Sequence, residues 1–224
     1  MQRRISVNLP EGQGLRFWKL TGREAVSEPF VWTLTLLGED ARINRSNLLG
    51  KSATVTLPTQ NGLASRYLNG KVTRVAVSPV ELSGTRYAAY TLTVEPDLWP
   101  MKLDRNMRIF QGKTVPEIVK EVLNEYQVKV DDKLTENFRI WDYSVQYQES
   151  SLDFISRLLE QEGIAWHFRH SEETPPLVLT HARSQYQPFE GYQTIPYHNT
   201  SSGGSTTEES IRQRSLAHRA TPGL

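Results

Sequence analysis

Residues 141–170 read WDYSVQYQESSLDFISRLLEQEGIAWHFRH, and the rest of the chain is organised around them. Trp141, Tyr143, Val145 and Tyr147 alternate with Asp142, Ser144, Gln146 and Gln148, which is the period-two pattern of a half-buried strand. Ser150 follows as an N-cap, with Asp153 three residues on as a weak capping box. Leu152, Ile155 and Leu159 line one face of a helix, widened by Phe154 and Leu158. Asp153 and Arg157 stand at i, i+4 on its outside, in the favourable order for an ion pair. Gly163 stops the helix where a left-handed residue is usually required. Ile164, Trp166 and Phe168 then alternate with Ala165, His167 and Arg169 as a second strand. Cap, period and stop agree on strand–helix–strand.

Residues 106–130 repeat that outline. Arg108–Gln111 reads as a short strand and Gln127–Val130 as another. Between them Thr114 and Glu117 form a capping box, and Pro116 is tolerated in the first turn. Val115, Ile118, Val119, Val122 and Leu123 keep the 3.6-residue period. Upstream, Pro96 and Pro100 bracket Leu98-Trp99, which marks a boundary with a buried tryptophan. Before it lie six candidate strands, Ile5–Leu9, Leu15–Leu20, Val31–Leu37, Ala53–Leu57, Tyr67–Val77 and Tyr87–Val94. Turn signals fall between or within them at Pro10-Glu11-Gly12, Asn61-Gly62, Asn69-Gly70 and Ser83-Gly84. Gly70 reads equally as a bulge or a hairpin turn. Such spacing predicts a small antiparallel barrel or sandwich. Downstream, Leu177–Thr180 reads as a strand, 182–200 as a long loop, 201–207 (SSGGSTT) as a flexible low-complexity run, and Glu209–His218 as the start of a further strand.

Composition sets the outer bounds. With 224 residues and 38% hydrophobic content the chain can bury a core of one large or two small domains. Lys plus Arg number 26 against 25 Asp plus Glu, a net charge of +1, so no basic surplus marks a nucleic-acid or acidic-membrane partner. The absence of cysteine excludes disulfides and cysteine-based metal sites. MQRRISVNLPEG carries two arginines with no apolar run behind them, unlike a secretory leader. No window approaches the apolar length of a membrane span.

Four constellations invite a chemical reading. Gly112-Lys113-Thr114 sits between a strand and a helix, as the end of a phosphate-binding loop does, but Met107 stands where that loop needs its first glycine. A turn glycine and a helix cap account for it. The histidines are His167, His170, His181, His198 and His218; the first two, three apart on a strand, point to opposite faces, and solvated surface positions are expected. Glu149, Glu160 and Glu162 could be imagined as acid–base carboxylates, but Glu160 and Glu162 do not share a helix face. Trp141, Tyr143, Tyr147, Trp166 and Phe168 could stack on bases or sugars; their alternation with polar residues predicts core positions instead.

The run YSVQYQESSLDFISRLLEQEGIAWHF at 143–168 resembles a segment of the VgrG proteins, the spike-hub proteins of bacterial type VI secretion. EPFVWTLTLL at 28–37, YLNGKVT at 67–73 and LWPMKLDRNMRIFQGKTVPEIVKEVL at 98–123 resemble the same family, in the family's order. The resemblance implies an α+β fold like a phage tail baseplate hub. Residues 1–97 are then an antiparallel β-barrel-like domain, and 98–170 a small α/β region with two strand–helix–strand units. Residues 171–224 are the β-rich start of a second barrel with a flexible loop. The family's remaining parts, the rest of that barrel, an OB-like domain and a valine-glycine spike, are not in the sequence, which implies an N-terminal piece of a longer protein. The function so implied is structural: a type VI spike component, homotrimeric when full length, seated on the hexameric tube protein (Hcp). A spike tip protein and secreted effectors would be reached through C-terminal regions. The protein would be made in the bacterial cytoplasm and then secreted or delivered into target cells without a cleaved signal peptide. No enzyme activity, catalytic residue, cofactor, metal or nucleic-acid partner is expected. The alternative is a carbohydrate-binding module or enzyme built on the β region, which would need a cleft with convergent polar groups.

Overall fold

The computed structural model describes residues 5–10, 12, 14–58, 65–186, 193–195 and 197. All six strands expected before residue 96 are present: β1 Ser6–Asn8, β2 Arg16–Ala25, β3 Glu28–Gly38, β4 Ser52–Pro58, β5 Ser65–Leu82 and β6 Thr85–Glu95, with a short helix α1 at Arg45–Leu48. They form one antiparallel sheet in the order β1-β4-β5-β6-β3-β2. Its end strands β1 and β2 come into contact without forming a ladder, so the sheet is curled but not closed. Alternation decides which face is buried. Phe30, Trp32, Leu34 and Leu36 of β3 and Tyr90, Leu92 and Val94 of β6 are core residues, and the register sets Trp32 against Val94, Leu34 against Leu92 and Leu36 against Tyr90. The Tyr90 hydroxyl donates to the Asp40 carbonyl at 2.7 Å, which satisfies the one polar atom this ring carries inside.

Two turn signals resolve differently. Ser83 and Gly84, at φ 50° and 77°, make the two-residue β5–β6 hairpin whose twist suits its strands. Asn69-Gly70 is no turn, because β5 runs straight through it. A Cβ on Gly70 would lie 2.7 Å from the Glu95 carbonyl and 3.0 Å from the Phe30 ring, so glycine is required there by close packing and not by backbone conformation. Asn61-Gly62 and Glu11 lie outside the described residues.

After a 3₁₀ turn at Trp99–Lys102 come β7 Asn106–Thr114, α2 Val115–Glu125, β8 Val130–Asp132, β9 Ile140–Glu149, α3 Ser151–Gln161, β10 Ala165–Phe168 and β11 Leu177–Thr180. Both strand–helix–strand units exist, but they are interleaved. Their first strands, β7 and β9, form an antiparallel two-stranded ribbon, and their last strands share a second sheet in the order β10-β11-β8. β11, expected to open a second barrel, is thus the central strand of the α/β region. The candidate strand 209–218 and the run 201–207 lie outside the described residues. At the 96–100 boundary Leu98 and Met101 are fully buried while Trp99 is half-buried, which corrects the expected buried tryptophan.

Both N-caps stand where expected, with the full box at Thr114–Glu117 and only its Ser150 half at Ser150–Asp153. The Thr114 hydroxyl accepts from the Glu117 N–H while the Glu117 carboxylate accepts from the Thr114 N–H, and the Ser150 hydroxyl accepts from the Asp153 N–H at 3.0 Å. Gly163, at φ 69°, ends α3. Ile118, Val119, Val122 and Leu123 of α2 and Phe154, Ile155, Leu158 and Leu159 of α3 are buried against each other and the strands, each worth about 1.5–3 kcal/mol of transfer free energy. The pairing expected between Asp153 and Arg157 is replaced: Arg157 binds Glu149 at 2.6 Å and Asp153 takes the Ser150 hydroxyl. Among the described residues no helix is long and apolar enough to cross a membrane.

Candidate functional site

The residues singled out for chemistry are engaged in holding the fold. Gly112 has φ 61° within β7; the Lys113 ammonium pairs with Glu121, and Thr114 serves as the α2 cap. Glu149 is held by Arg157, and Glu162 accepts from the Trp141 indole N–H at 3.0 Å. Glu160 and Glu162 do not converge with Glu149 on a common point. A cleft of ≈ 690 Å³ between the β5–β6 hairpin and the loop before α1 brings Glu39 together with Arg42, Arg45 and Arg86, without a histidine or a second carboxylate. Among the described residues no group of three His, Asp or Glu side chains could hold a metal ion.

Three histidines differ from the surface positions expected. His170 joins the six-stranded sheet to the α/β region: its ring lies 5.0 Å from the Phe30 ring and 4.8 Å from that of Trp32. Its Nδ1 meets the Asn69 side chain at 3.0 Å and its Nε2 the Glu24 carboxylate at 3.2 Å. The side chain of Asn69, itself buried, donates to the Ser171 and Glu173 carbonyls, and the Ser27 N–H donates to the Trp166 carbonyl at 2.7 Å across the same junction. His167 stacks on Tyr186, and burial pushes its imidazole below the usual range, so it is neutral at pH 7. His181 is 9% exposed and faces Glu136 at 3.0 Å. His198 and His218 lie outside the described residues.

Sequence reasoning missed the polar network at the start of β7. Asp104 receives the Ser151 N–H at 2.8 Å, the Ser151 hydroxyl, the Tyr126 hydroxyl at 2.5 Å and the Asn106 amide at 2.7 Å. Beside it Arg108 donates to the side chain of Gln146 at 2.9 Å and to Glu125 at 2.7 Å, while Gln146, fully buried, donates to the Glu149 carbonyl at 3.1 Å. Burial alone would raise the Asp104 carboxyl; hydrogen bonds from Ser151 and Tyr126, helped by the Arg108 charge, outweigh it and hold the group below the usual carboxylate range. One carboxylate thus ties β7, the end of α2 and the first turn of α3 together.

That network reverses the expected orientation of β9. Ser144 and Gln146 are inside, and Tyr143 and Tyr147 are 65% and 63% exposed, with Trp141 half-buried. The expected core positions hold for Trp166 and Phe168 but not for these two tyrosines. Because the side-chain period is two, facing Ser144 and Gln146 inward turns Tyr143, Val145 and Tyr147 outward. Met107 and Ile109 of β7 join the outward row, at 66% exposure each. The arrangement forms a hydrogen-bonded junction between sheet and helices.

The phage tail baseplate hub family (GPD) matches residues 23–224. The type VI secretion system spike protein VgrG1b of Pseudomonas aeruginosa is 36% identical over 198 residues, covering 88% of this chain and 26% of that protein. VgrG1a of the same organism is 36% identical over 200 residues, covering 88% and 30%. The chain therefore spans between a quarter and a third of the length of these relatives. Among solved structures, the E. coli c3393 protein, described as a component of the type VI secretion system with structural similarity to T4 bacteriophage tail proteins gp27 and gp5, superposes with a TM-score of 0.72 at 23% identity, covering 81% of this chain and 50% of that one. A 43 kDa prophage tail protein of Shewanella oneidensis superposes at 0.58 with 16% identity, covering 86% and 55%. These likenesses show the hub fold.

Proposed function

This chain belongs to the phage tail baseplate hub family, and from that premise we propose that it serves as the hub of a type VI secretion spike. The observation that carries the reading is the 36% identity to spike proteins over 88% of the chain. In this role the chain is structural and has no catalytic activity of its own. The full-length protein assembles as a homotrimer, seats on the hexameric tube protein and carries the spike, with effectors attached beyond the hub. It is assembled in the bacterial cytoplasm and leaves through the apparatus without a cleaved signal peptide. The sequence divides functionally at about residue 97 and again beyond β11, which belongs to the α/β region, with the remainder contributing to a second barrel. The polar network around Asp104 and the His170 junction support the reading, because a hub that transmits a contractile thrust needs its sheet and helices fixed to each other. The carbohydrate-binding or enzymatic alternative has no comparable support: the carboxylates it would use are tied to Arg157 and Trp141.

The test is genetic and biochemical. Deleting the gene in the bacterium that encodes it should stop release of the tube protein into the medium, and restoring the gene should restore release. Normal tube-protein release from the deletion strain, with no second spike gene active, would refute the proposal.

A further inference from the structure

The tip of the β5–β6 hairpin stands clear of the six-stranded sheet. β3 pairs with β6 no nearer the tip than Ala88, and β4 with β5 no nearer than Lys71, so residues 80–87 pair only with each other. The segment after β3, residues 39–45, faces this hairpin across the cleft of ≈ 690 Å³. That segment is pinned. The Tyr90 hydroxyl donates to the Asp40 carbonyl at 2.7 Å, the Asp40 carboxylate accepts from the Arg42 N–H at 2.8 Å, and the Asn44 side chain accepts from the Ser46 N–H at 3.0 Å. It brings Arg42 and Arg45 to one wall of the cleft, and β6 brings Arg86 to the other. Elsewhere arginine charge is spent inside the chain, Arg23 on Glu28, Arg108 on Glu125, Arg157 on Glu149 and Arg169 on Asp131. Among the described residues Arg42, Arg45 and Arg86 have no carboxylate within ion-pair distance, although Glu39 lines the same cleft and Glu81 stands opposite Arg86 in the ladder. All three arginines are exposed. Between them the lining is apolar: Ile43, Val77 and Tyr87 are half-buried, the first two packed against the core.

We propose that this cleft binds an acidic segment of a partner protein, with carboxylates on the three guanidinium groups and an apolar side chain on the lining between them. Charge complementarity is the first argument. Three guanidinium groups against the one carboxylate of Glu39 leave two positive charges uncompensated. A guanidinium stays charged at any working pH, and its planar fork takes a carboxylate through two parallel hydrogen bonds. Preparation is the second. Because the 39–45 segment is already pinned, little backbone order has to be added on binding. Shape is the third. An apolar lining with a few convergent polar groups is the usual make-up of a binding cleft, and this volume falls within the usual range of about 300–1,000 Å³. Glu39 decides between anions. A phosphate sets up to about two negative charges in one group beside it, whereas carboxylates carry one each and can be distributed over the arginines. A nucleic acid needs a track of cations along its backbone, and a chain of net charge +1 offers no basic surplus to build one. The exposure of all three arginines suits a segment presented on a protein surface and not an engulfed small molecule. The cleft is complete within this chain, so the proposal stands or falls independently of the hub reading, which is tested by secretion.

Fluorescence anisotropy, with the 224-residue chain titrated into a short labelled peptide of alternating glutamate and leucine, should show saturable binding at low salt in a range of about 10–1,000 µM, as a few exposed ion pairs and an apolar contact provide. Arg42→Ala, Arg45→Ala and Arg86→Ala should each weaken it by about twofold to fivefold, the worth of an exposed ion pair. The triple variant Arg42→Glu/Arg45→Glu/Arg86→Glu should lose the acidic peptide and bind the lysine–leucine counterpart instead. A glutamate–serine peptide should bind the parent about fivefold more weakly or worse, since the apolar lining then stays uncovered. Arg183→Glu, in the 3₁₀ turn after β11 and outside the cleft, should leave affinity unchanged. The three cleft side chains make no ion pair among the described residues, so thermal melts should match the parent; the alanine variants decide the case should the triple variant melt lower. No saturation by about 1 mM, an affinity that the arginine variants leave unchanged, displacement of the peptide by an equal concentration of inorganic phosphate, or equal binding of a labelled oligonucleotide of mixed sequence would each overturn the proposal.

Discussion

Removing the Asp104 carboxylate should loosen the joint between the two strand–helix–strand units. Four donors converge on it: the backbone and hydroxyl of Ser151, the Tyr126 hydroxyl and the Asn106 amide. Hydrogen bonds to a charged group are worth about 1.5–3 kcal/mol each when desolvated, but Asp104 is only half-buried and the hydroxyls of Tyr126 and Ser151 can turn to water, so a total of about 2–4 kcal/mol is expected for Asp104→Ala. In a domain of this size each kcal/mol moves the melting temperature by about 2–4 °C, which gives a fall of about 5–15 °C. Asp104→Asn keeps one acceptor and should lose about half as much. The sign of the pH dependence follows from the lowered carboxyl. Its stabilisation is fully present above the ordinary carboxylate range and is lost as the pH falls through the lower folded value, so parent and Asp104→Asn should differ most near neutrality and converge in acid. Differential scanning calorimetry at neutral pH and at steps down into the acid range measures both effects. A melting temperature within about 2 °C of the parent at neutral pH, the range of surface substitutions, would refute the reasoning.

Three further outcomes are expected from stability measurements. Gly163→Val should cost about 1–2 kcal/mol through backbone strain at φ 69° alone, since a Cβ there meets nothing within 4 Å; an unchanged denaturant midpoint would mean that α3 re-forms its end elsewhere. Gly70→Ala should cost about 1–3 kcal/mol by overpacking against the Glu95 carbonyl and the Phe30 ring, and should do so although its φ is ordinary; a neutral result in chemical denaturation would show that β5 and β6 can separate locally. Thr114→Ala should cost about 1 kcal/mol as a lost cap while leaving circular dichroism of the folded state unchanged, and a cost near zero would place the cap's weight on Glu117.

What the sequence alone determined was local. The caps at Thr114 and Ser150, the stop at Gly163, the buried stripes of α2 and α3 and the inward rows of β3 and β6 were legible because each depends on neighbours within a few residues, through a hydrogen bond to a nearby N–H, a left-handed φ or a helix or strand period. The family resemblance, too, is a property of ordered local segments. Tertiary structure decided which of two permitted rows of β9 faces inward. Alternation fixes that Tyr143, Val145 and Tyr147 share a face, but not whether that face is the core. The choice was made by Asp104, Arg108 and Phe110, some forty residues upstream in sequence, which supply the buried partners that Ser151, Gln146 and Phe154 need. Gly70 is the same case in reverse: a turn-like dipeptide is held straight because Phe30 and the Glu95 carbonyl leave no room for a side chain. Pairing β7 with β9 and inserting β11 between β10 and β8 likewise depended on contacts between distant segments, whose free energy is set by burial and not by the propensity of either strand.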